Sequence, residues 1–161
     1  MTMWCMMNSP LMLGLDLRRV KKGDELWQII ANRELIALNQ DPLGIQAKRI
    51  FCSIANDNPD KTYVTNNSRV DILAKPLANG DIALSFINLS DNRDDNEYSV
   101  DVSRILEFIG NKMVDPDKFR KASGYSVKDL WTGEVKENNS GIFSVKGIDA
   151  YDNVTFRVTP V

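Results

Sequence analysis

The chain has 161 residues, of which 43% are hydrophobic and 26% charged, a composition typical of folded globular proteins and not of disordered ones. Its 20 basic and 22 acidic residues nearly cancel, so no excess of positive charge indicates a nucleic-acid partner. The histidine count is 0, which excludes Ser-His-Asp and Cys-His catalysis and histidine-ligated zinc.

The cysteine count and the apolar N-terminal residues exclude further classes of protein. Two cysteines, Cys5 and Cys52, are too few for a disulfide framework or a four-thiolate metal site. We expect both to be buried free thiols, and one bridge between them stays open as the alternative. Residues 1–15 are too short an apolar stretch to span a bilayer and lack the basic start of a signal peptide. We therefore predict no membrane segment, and the missing signal peptide favours a cytoplasmic location.

Helical and buried-strand patterns occupy residues 1–44. Residues 1–8 are typical of the last turns of a helix, which Pro10 prevents from continuing. The apolar run Leu11–Leu15 predicts a strand covered on both faces, as in a parallel sheet. Asp24 is a candidate N-cap for a helix with a buried side, and a second helix follows; their apolar residues are Leu26, Trp27, Ile29, Ile30, Leu35, Ile36 and Leu38. A single strand followed by helix cannot bury the apolar faces of both elements, so this unit needs packing partners.

The pattern changes to a period of two after the turn Asp41–Gly44. Alternating apolar residues predict short strands over Val70–Leu77, 82–86, 98–102, Tyr125–Trp131, 142–145 and 154–159. Asn79-Gly80 predicts a hairpin between the first two of these. Between residues 103 and 122 we expect a short helix at 105–109 and a loop at 115–117. Several short alternating strands separated by turns indicate an antiparallel sandwich or barrel.

Segments throughout the chain resemble, in order, motifs of the α-galactosidase (melibiase) family of glycoside hydrolases, family 27 of clan D. They are Met3-Trp4-Cys5, Ser9–Arg18 (SPLMLGLDLR), Asn32–Gly44 (NRELIALNQDPLG), Lys75–Gly80 (KPLANG), Phe86-Ile87-Asn88, Asp129–Gly133 (DLWTG) and Val158-Thr159-Pro160. Two features depart from the family pattern. Tyr151 stands where the family usually has histidine, and the region 103–122 is longer than expected.

The resemblance implies a mainly β fold, with a C-terminal antiparallel β-sandwich over residues 45–161. Residues 1–44 would then be the last strand and helix of a (β/α)8 barrel. Because a complete barrel needs around 250 residues, we expect the remaining N-terminal barrel part to lie upstream of this chain. The family's nucleophile and acid/base aspartates would lie there too, so no catalytic residue is assigned within these 161 residues.

By the same resemblance, the parent reaction is retaining hydrolysis of terminal α-D-galactosyl residues from oligosaccharides or glycoconjugates. It needs two carboxyl groups and neither metal nor cofactor. The expected partners are an α-galactoside substrate and the missing barrel part, and the isolated chain is predicted to be inactive. Whether the chain is a truncated enzyme or one half of a split enzyme stays open, as does the choice between galactose and N-acetylgalactosamine.

Asp16 is the candidate substrate-binding residue, because it follows the predicted strand and the C-terminal ends of barrel strands face the active site. An ion pair with Arg18, or a cap for the next turn, is the structural alternative. Asp91, Asp94 and Asp95 are expected to form a solvated acidic loop. Core packing is expected for two tryptophans, Trp27 and Trp131.

Three further expectations remain. Sequons for N-glycosylation begin at Asn66, Asn88, Asn138 and Asn153; chance matches are expected in an asparagine-rich chain, and the sequons matter only if the source is a secreting eukaryote. The competing function is a non-catalytic β-sandwich that binds carbohydrate or docks on another protein, which an exposed row of aromatic residues on one sheet face would favour. In the isolated chain, the apolar faces of 11–15 and 26–30 would lack partners, which predicts self-association.

Overall fold

The computed structural model describes residues 1–54 and 69–161. Within them the helices are α1 (Thr2–Met6), α2 (Glu25–Ile30), α3 (Arg33–Asn39), α4 (Val102–Ile109) and α5 (Pro116–Lys121), with 3₁₀ turns at Leu17–Arg19 and Gly110–Lys112. The strands are β1 (Lys48–Cys52), β2 (Val70–Pro76), β3 (Ile82–Asn88), β4 (Asp94–Asp101), β5 (Tyr125–Asp129), β6 (Val135–Asn138), β7 (Ile142–Ile148) and β8 (Asn153–Pro160).

Two antiparallel sheets form the framework. The larger has the strand order β1-β2-β3-β8-β5-β6, and the smaller pairs β4 with β7. The predicted hairpin joins β2 to β3, and Gly80 in its turn has φ +88°, a conformation that glycine adopts without strain. The mainly β class and the antiparallel sandwich that the sequence predicts are both confirmed.

The larger sheet is buried on both faces at its centre, where every residue of β2 and β3 is buried. Alternate side chains of a strand point to opposite faces, so each of these strands supplies two cores. One core lies between the two sheets and α4 and includes Ile72, Leu84, Phe86, Ile105, Phe143 and Val158. The other lies beneath α1 and α3 and includes Cys5, Met6, Leu35, Leu38, Leu73, Leu77, Ala83, Ile87 and Leu130.

The run Leu11–Leu15 is not a strand, so that prediction is wrong. The segment is irregular, and its Met12 side chain is 81% exposed. A strand needs a neighbour for its backbone hydrogen bonds, and none of the described strands lies in a sheet with this run. The helices predicted on either side do form, and the Asp24 carboxylate caps α2 by accepting the backbone N–H of Trp27 at 2.7 Å.

Other differences lie in the second half of the chain. The expected loop at 115–117 is the start of α5, where Asp115 caps the helix and Pro116 is its first residue. The strand predicted over 98–102 ends at Asp101, whose carboxylate caps α4. Strands β1 and β6 were not anticipated because neither has a clear apolar alternation, and β6 (VKEN) has no buried residue.

Asn88, the last residue of β3, organises the loops at one end of the sandwich. Its fully buried side-chain amide donates to the carbonyl oxygens of Asn92, Ile148 and Asp149 at 2.9, 3.0 and 3.1 Å. Its Oδ1 accepts the backbone N–H of Ser90 at 2.8 Å. The end of β7 and the loop after β3 are therefore joined through one side chain.

Replacing this amide by a carboxylate should destabilise the protein strongly. In Asn88→Asp, an oxygen would face three carbonyl oxygens in a buried site, and the expected loss of unfolding free energy is about 3 kcal/mol. Urea unfolding followed by circular dichroism measures the difference. Asn111→Asp, at an exposed position, is the matched control and should change stability by less than about 0.5 kcal/mol. Equal effects of the two substitutions would contradict this role for Asn88.

Candidate functional site

Asp16 lies at the start of the 3₁₀ turn Leu17–Arg19 and is engaged by its own chain. Its carboxylate accepts the backbone N–H of Arg18 at 3.1 Å and two guanidinium N–H groups at 2.9 and 3.0 Å. The side-chain and backbone hydrogen bonds from Arg18 lower the pKa of Asp16. Both structural alternatives, the ion pair and the cap, are therefore present. The carboxylate is charged at neutral pH and remains 38% exposed, so it can still accept hydrogen bonds from a ligand.

Many large apolar side chains of residues 1–30 face solvent. We call this set the apolar N-terminal surface; its members are Met3, Trp4, Met12, Leu13, Leu17, Leu26, Trp27 and Ile29. The expectation that Trp27 packs in a core is wrong, since α2 has no buried residue and the Trp27 side chain is 38% exposed. Soluble proteins rarely expose this many large apolar residues within one segment, and such exposure is typical of interaction surfaces.

A buried lysine holds two helices, α1 and α3, to the larger sheet. Lys75 of β2 is 0% exposed, and its ammonium group donates to the carbonyl oxygen of Leu38 and to the side-chain oxygen of Asn8. The carbonyl oxygen of Cys5 lies 3.4 Å from the same nitrogen. Burial lowers the pKa of Lys75, and the Asp41 carboxylate acts against that shift. One cation thus joins the ends of α1 and α3 to the centre of the sheet.

Two asparagines of the segment Asn32–Gly44 anchor the ends of the loop that carries Asp16. Asn39 donates from its side chain to the carbonyl oxygens of Trp4 and Ser9 at 3.3 and 2.8 Å. Asn32 caps α3 and donates to the carbonyl oxygen of Leu130 at 3.0 Å. Residues 10–31 therefore begin and end at points tied to buried structure, although the loop between them is exposed.

Acidic residues of the same segment bind the sandwich directly. Glu34 pairs with Lys128 of β5 at 2.7 Å, and the Asp41 carboxylate accepts the backbone N–H of Ala78 at 3.1 Å. The Glu34–Lys128 pair is partly exposed and adds little stability alone. Its geometry, with the Asp41 bond to the hairpin, still determines how α3 sits on the sheet. The segment Asn32–Gly44, which ends in the sequence NQDPLG, thus packs α3 against the sandwich.

Trp131 contributes to the junction between α1 and β8. Its indole N–H donates to Asn153 Oδ1 at 2.9 Å, and the same oxygen accepts the hydroxyls of Thr2 and Thr155 at 2.9 Å each. Trp131 is half-buried and packs against the cluster beneath α1 and α3, which agrees with the expected packing role. Asp129, two residues earlier, accepts the backbone N–H groups of Trp131 and Thr132, so the DLWTG turn is closed locally.

The acidic residues expected in a loop are instead partly in a strand, since Asp94 and Asp95 begin β4, and the cluster is internally paired. Asp95 and Asp149 both bind Arg93, at 2.7 and 2.5 Å. Burial raises the pKa of Asp94, but hydrogen bonds from Asn96 and Tyr98 outweigh it and lower that pKa overall. A general acid needs a raised pKa, so neither Asp94 nor Asp16 is suited to that role.

The described residues contain no cluster of three or more His, Cys, Asp or Glu side chains that could hold a metal ion. Both cysteines are buried and free, as expected, and burial raises the pKa of the Cys5 thiol. None of the helices in the described ranges is long and apolar enough to cross a membrane.

Lys75 is the residue that sequence reasoning missed. A signal for it exists, because a single lysine occurs near the end of the otherwise largely apolar stretch 70–77. A lysine near a strand end is usually solvated. Only the packing of α1 and α3 on that face of the sheet shows that this one is buried.

Residues 67–158 match the family model described as "Alpha galactosidase C-terminal beta sandwich domain". The chain belongs to this family. The matched residues include strands β2 to β7 and most of β8, so the described sandwich is this α-galactosidase C-terminal domain.

The likeness extends to the N-terminal helices as well. Alpha-galactosidase 3 from Arabidopsis thaliana is 28% identical over 160 residues, which are 99% of this chain and 30% of the relative. Alpha-galactosidase A from Cellvibrio japonicus is 28% identical over 159 residues, which are 99% of this chain and 34% of the relative. Alpha-N-acetylgalactosaminidase from Gallus gallus is 27% identical over 160 residues, with shares of 99% and 30%. The chain thus spans about a third of the length of these relatives.

Solved structures share the fold. Alpha-galactosidase I from Mortierella vinacea superposes with a TM-score of 0.71 and 22% identity, over 99% of this chain and 34% of that one. An α-galactosidase from Saccharomyces cerevisiae superposes with a TM-score of 0.72 and 18% identity, over 99% and 42%.

The buried ammonium of the α-galactosidase C-terminal domain predicts a pH dependence of stability. Because burial lowers the pKa of Lys75 below its usual 10.5, the unfolded chain binds more protons between the folded pKa and 10.5. The Lys75 contribution to unfolding free energy should therefore rise as pH rises through that window. The Lys75→Met variant lacks this contribution. The unfolding free energy of wild type minus that of the variant should therefore increase with pH.

Urea unfolding at a series of alkaline pH values measures that difference. Lys146→Met, at an exposed position of β7, is the control, and its difference from wild type should not change with pH. All proteins are compared in a Cys5→Ala background, because the charges of Cys5 and Lys75 interact and the thiol titration would not cancel. A difference that is flat for Lys75→Met, or that falls with pH, would contradict the assigned burial effect.

The apolar N-terminal surface predicts self-association of the isolated chain. Sedimentation velocity over a range of concentrations should show species larger than a monomer. The double substitution Leu26→Ser and Trp27→Ser should weaken association at least about tenfold, because each large apolar side chain contributes about 1.5–3 kcal/mol when buried. Val114→Ser with Val135→Ser, exposed positions elsewhere, is the control. A monomer at all concentrations would refute the prediction.

Proposed function

We propose that this chain works as the carboxyl-terminal part of a retaining α-galactosidase, an enzyme that hydrolyses terminal α-linked galactosyl residues. The observation that carries the proposal is the alignment of 99% of the chain with relatives named α-galactosidase, N-terminal helices included. Because the chain spans only 30% and 34% of these two relatives, the remaining parts of such an enzyme are attributed to other residues.

The catalytic carboxylates of this reaction are assigned to the part not contained in these residues. Retaining hydrolysis needs a nucleophile and an acid/base carboxyl about 5–5.5 Å apart, with the acid kept protonated by a raised pKa. The carboxylates of Asp16, Asp95 and Asp149 are each paired with arginine, and the pKa of Asp16 is lowered. Paired, ionised carboxylates bind hydroxyl groups well but cannot supply the acid.

In this proposal the two halves of the chain have different roles. The sandwich supports α1 and α3 through Lys75 and the segment Asn32–Gly44. The apolar N-terminal surface docks on the remainder of the barrel, where the irregular run Leu11–Leu15 gains neighbouring strands and becomes the last barrel strand. Asp16 then lies at the rim of the sugar site and accepts hydrogen bonds from substrate hydroxyls. The division into domains at residues 44 and 45 belongs to the same proposal.

The competing function, a carbohydrate-binding module, has less support. It requires a row of exposed aromatic rings along one sheet face. Among the described residues, the strongly exposed aromatic side chains are Trp4, Trp27 and Tyr151, which lie on α1, on α2 and in the turn before β8. Rings so placed do not form a platform on a sheet.

Assay of the folded, isolated chain on p-nitrophenyl α-galactoside and its N-acetylated analogue tests the proposal. We expect no turnover above buffer. A hybrid in which this chain replaces the homologous third of Alpha-galactosidase A from Cellvibrio japonicus should hydrolyse one of the two substrates. Turnover by the isolated chain would refute the assignment of the catalytic carboxylates to another part.

Asp16→Asn in the active hybrid tests the substrate-binding role. We expect kcat/KM to fall by about 10- to 100-fold, because a hydrogen bond to a charged group is worth about 1.5–3 kcal/mol. Asp91→Asn, an exposed carboxylate in the sandwich, is the matched control and should leave kcat/KM unchanged. An Asp16→Asn hybrid with the parent's kcat/KM would remove Asp16 from the site while leaving the family function intact.

A further inference from the structure

The sequons at Asn88, Asn138 and Asn153 lie in very different surroundings. N-glycosylation attaches a bulky, hydrophilic oligosaccharide to the side-chain nitrogen of asparagine, so it requires a nitrogen that can spare one N–H and face solvent. At each position the structure gives both properties, the hydrogen bonds of the side-chain nitrogen and its burial. The fourth sequon, at Asn66, lies outside the described residues.

Asn88 fails these requirements, and Asn153 is half-buried in a junction between two elements. The Asn88 side chain is fully buried and its nitrogen donates to three carbonyl oxygens, so substitution would break a buried network. The Asn153 amide lies at the junction of α1 with β8, where its oxygen accepts hydrogen bonds from three side chains. The sequon threonine, Thr155, is itself 0% exposed. A glycan at either position is incompatible with the fold.

Asn138 is half-buried at an exposed turn and has one side-chain N–H group to spare. It ends β6 at the exposed turn that leads into β7, and Asn139 and Ser140 beside it are exposed. Its Oδ1 accepts the backbone N–H groups of Ser140 and Gly141 at 3.0 Å each. Its nitrogen donates to the carbonyl oxygen of Ile142 at 2.7 Å, which uses one of the two N–H groups. Gly141, with φ +66°, completes the turn. The second N–H is free to be replaced without loss of these bonds.

We propose that Asn138 is the position among these three sequons that carries an N-linked oligosaccharide in the folded chain. The donor is a polyprenyl-diphosphate oligosaccharide, supplied by the glycosylation machinery of a secreting cell. The Asn138 side-chain nitrogen attacks the anomeric carbon of the oligosaccharide, and the carbon–oxygen bond to the diphosphate breaks. Polyprenyl diphosphate leaves, and the nitrogen loses one proton. This inference is independent of the proposed hydrolase function.

The test expresses the full chain with a secretion leader in yeast and maps glycopeptides by mass spectrometry. We expect a glycan at Asn138 in wild type and in Ser140→Thr, which preserves the sequon. We expect its loss in Ser140→Ala, which removes the hydroxyl that the sequon requires. Thermal midpoints of the three proteins should agree within a few degrees, because the turn is exposed.

Three outcomes would overturn the proposal. The first is folded, secreted protein without a glycan at Asn138 in both wild type and Ser140→Thr. The second is a glycan mapped to Asn88 or Asn153 in folded protein. The third is secretion of Asn138→Gln but not of wild type, because it would mean that a glycan at this turn prevents folding.

Discussion

The buried ammonium group of Lys75 is the interaction on which the arrangement of the N-terminal residues depends. An unpaired charge in a protein interior costs several kcal/mol, so a lysine in the middle of a covered sheet requires oxygen ligands. Those oxygens come from Cys5, Asn8 and Leu38, at the ends of α1 and α3. Removing either helix from the sheet would take away part of the oxygen ligands of this buried charge, so the helices and the sandwich are coupled energetically.

As a result, the larger sheet lies between two hydrophobic cores and contributes side chains to both. Strands β2 and β3 bury side chains against β4, β7 and α4 on one face and against α1 and α3 on the other. Ten of their 14 residues are apolar, which is unusual for antiparallel strands with one wet face and typical of strands covered on both. Asn39 and Asn32 hold the ends of the loop 10–31. Its Leu11 packs against the core beneath α1 and α3, whereas most of its other large apolar residues are exposed, where the proposed barrel contact lies.

Features governed by neighbouring residues were predictable. The Asn79-Gly80 hairpin, the Asp24 cap, the Asp41–Gly44 turn and the Asp16–Arg18 pair all follow from contacts within a few positions. Features that need distant residues were not. The run Leu11–Leu15 has the composition of a buried strand but no neighbouring strand among the described residues, and Trp27 lies on a helix that no described element covers. Strand β6 pairs with β5 although its own residues are all polar except Val135.

The sequence by itself determined the family, the antiparallel sandwich and the residues available for chemistry, because motif order, period-two alternation and the missing histidines need no partner to be recognised. Only the tertiary structure decided which polar residues are structural. Lys75, Asn88 and Asn153 carry ordinary polar side chains in sequence. Lys75 and Asn88 are buried and Asn153 is half-buried, because strands and helices far apart in the chain bring oxygens or donors to each of them. Burial is a property of the whole arrangement, so local sequence cannot specify it.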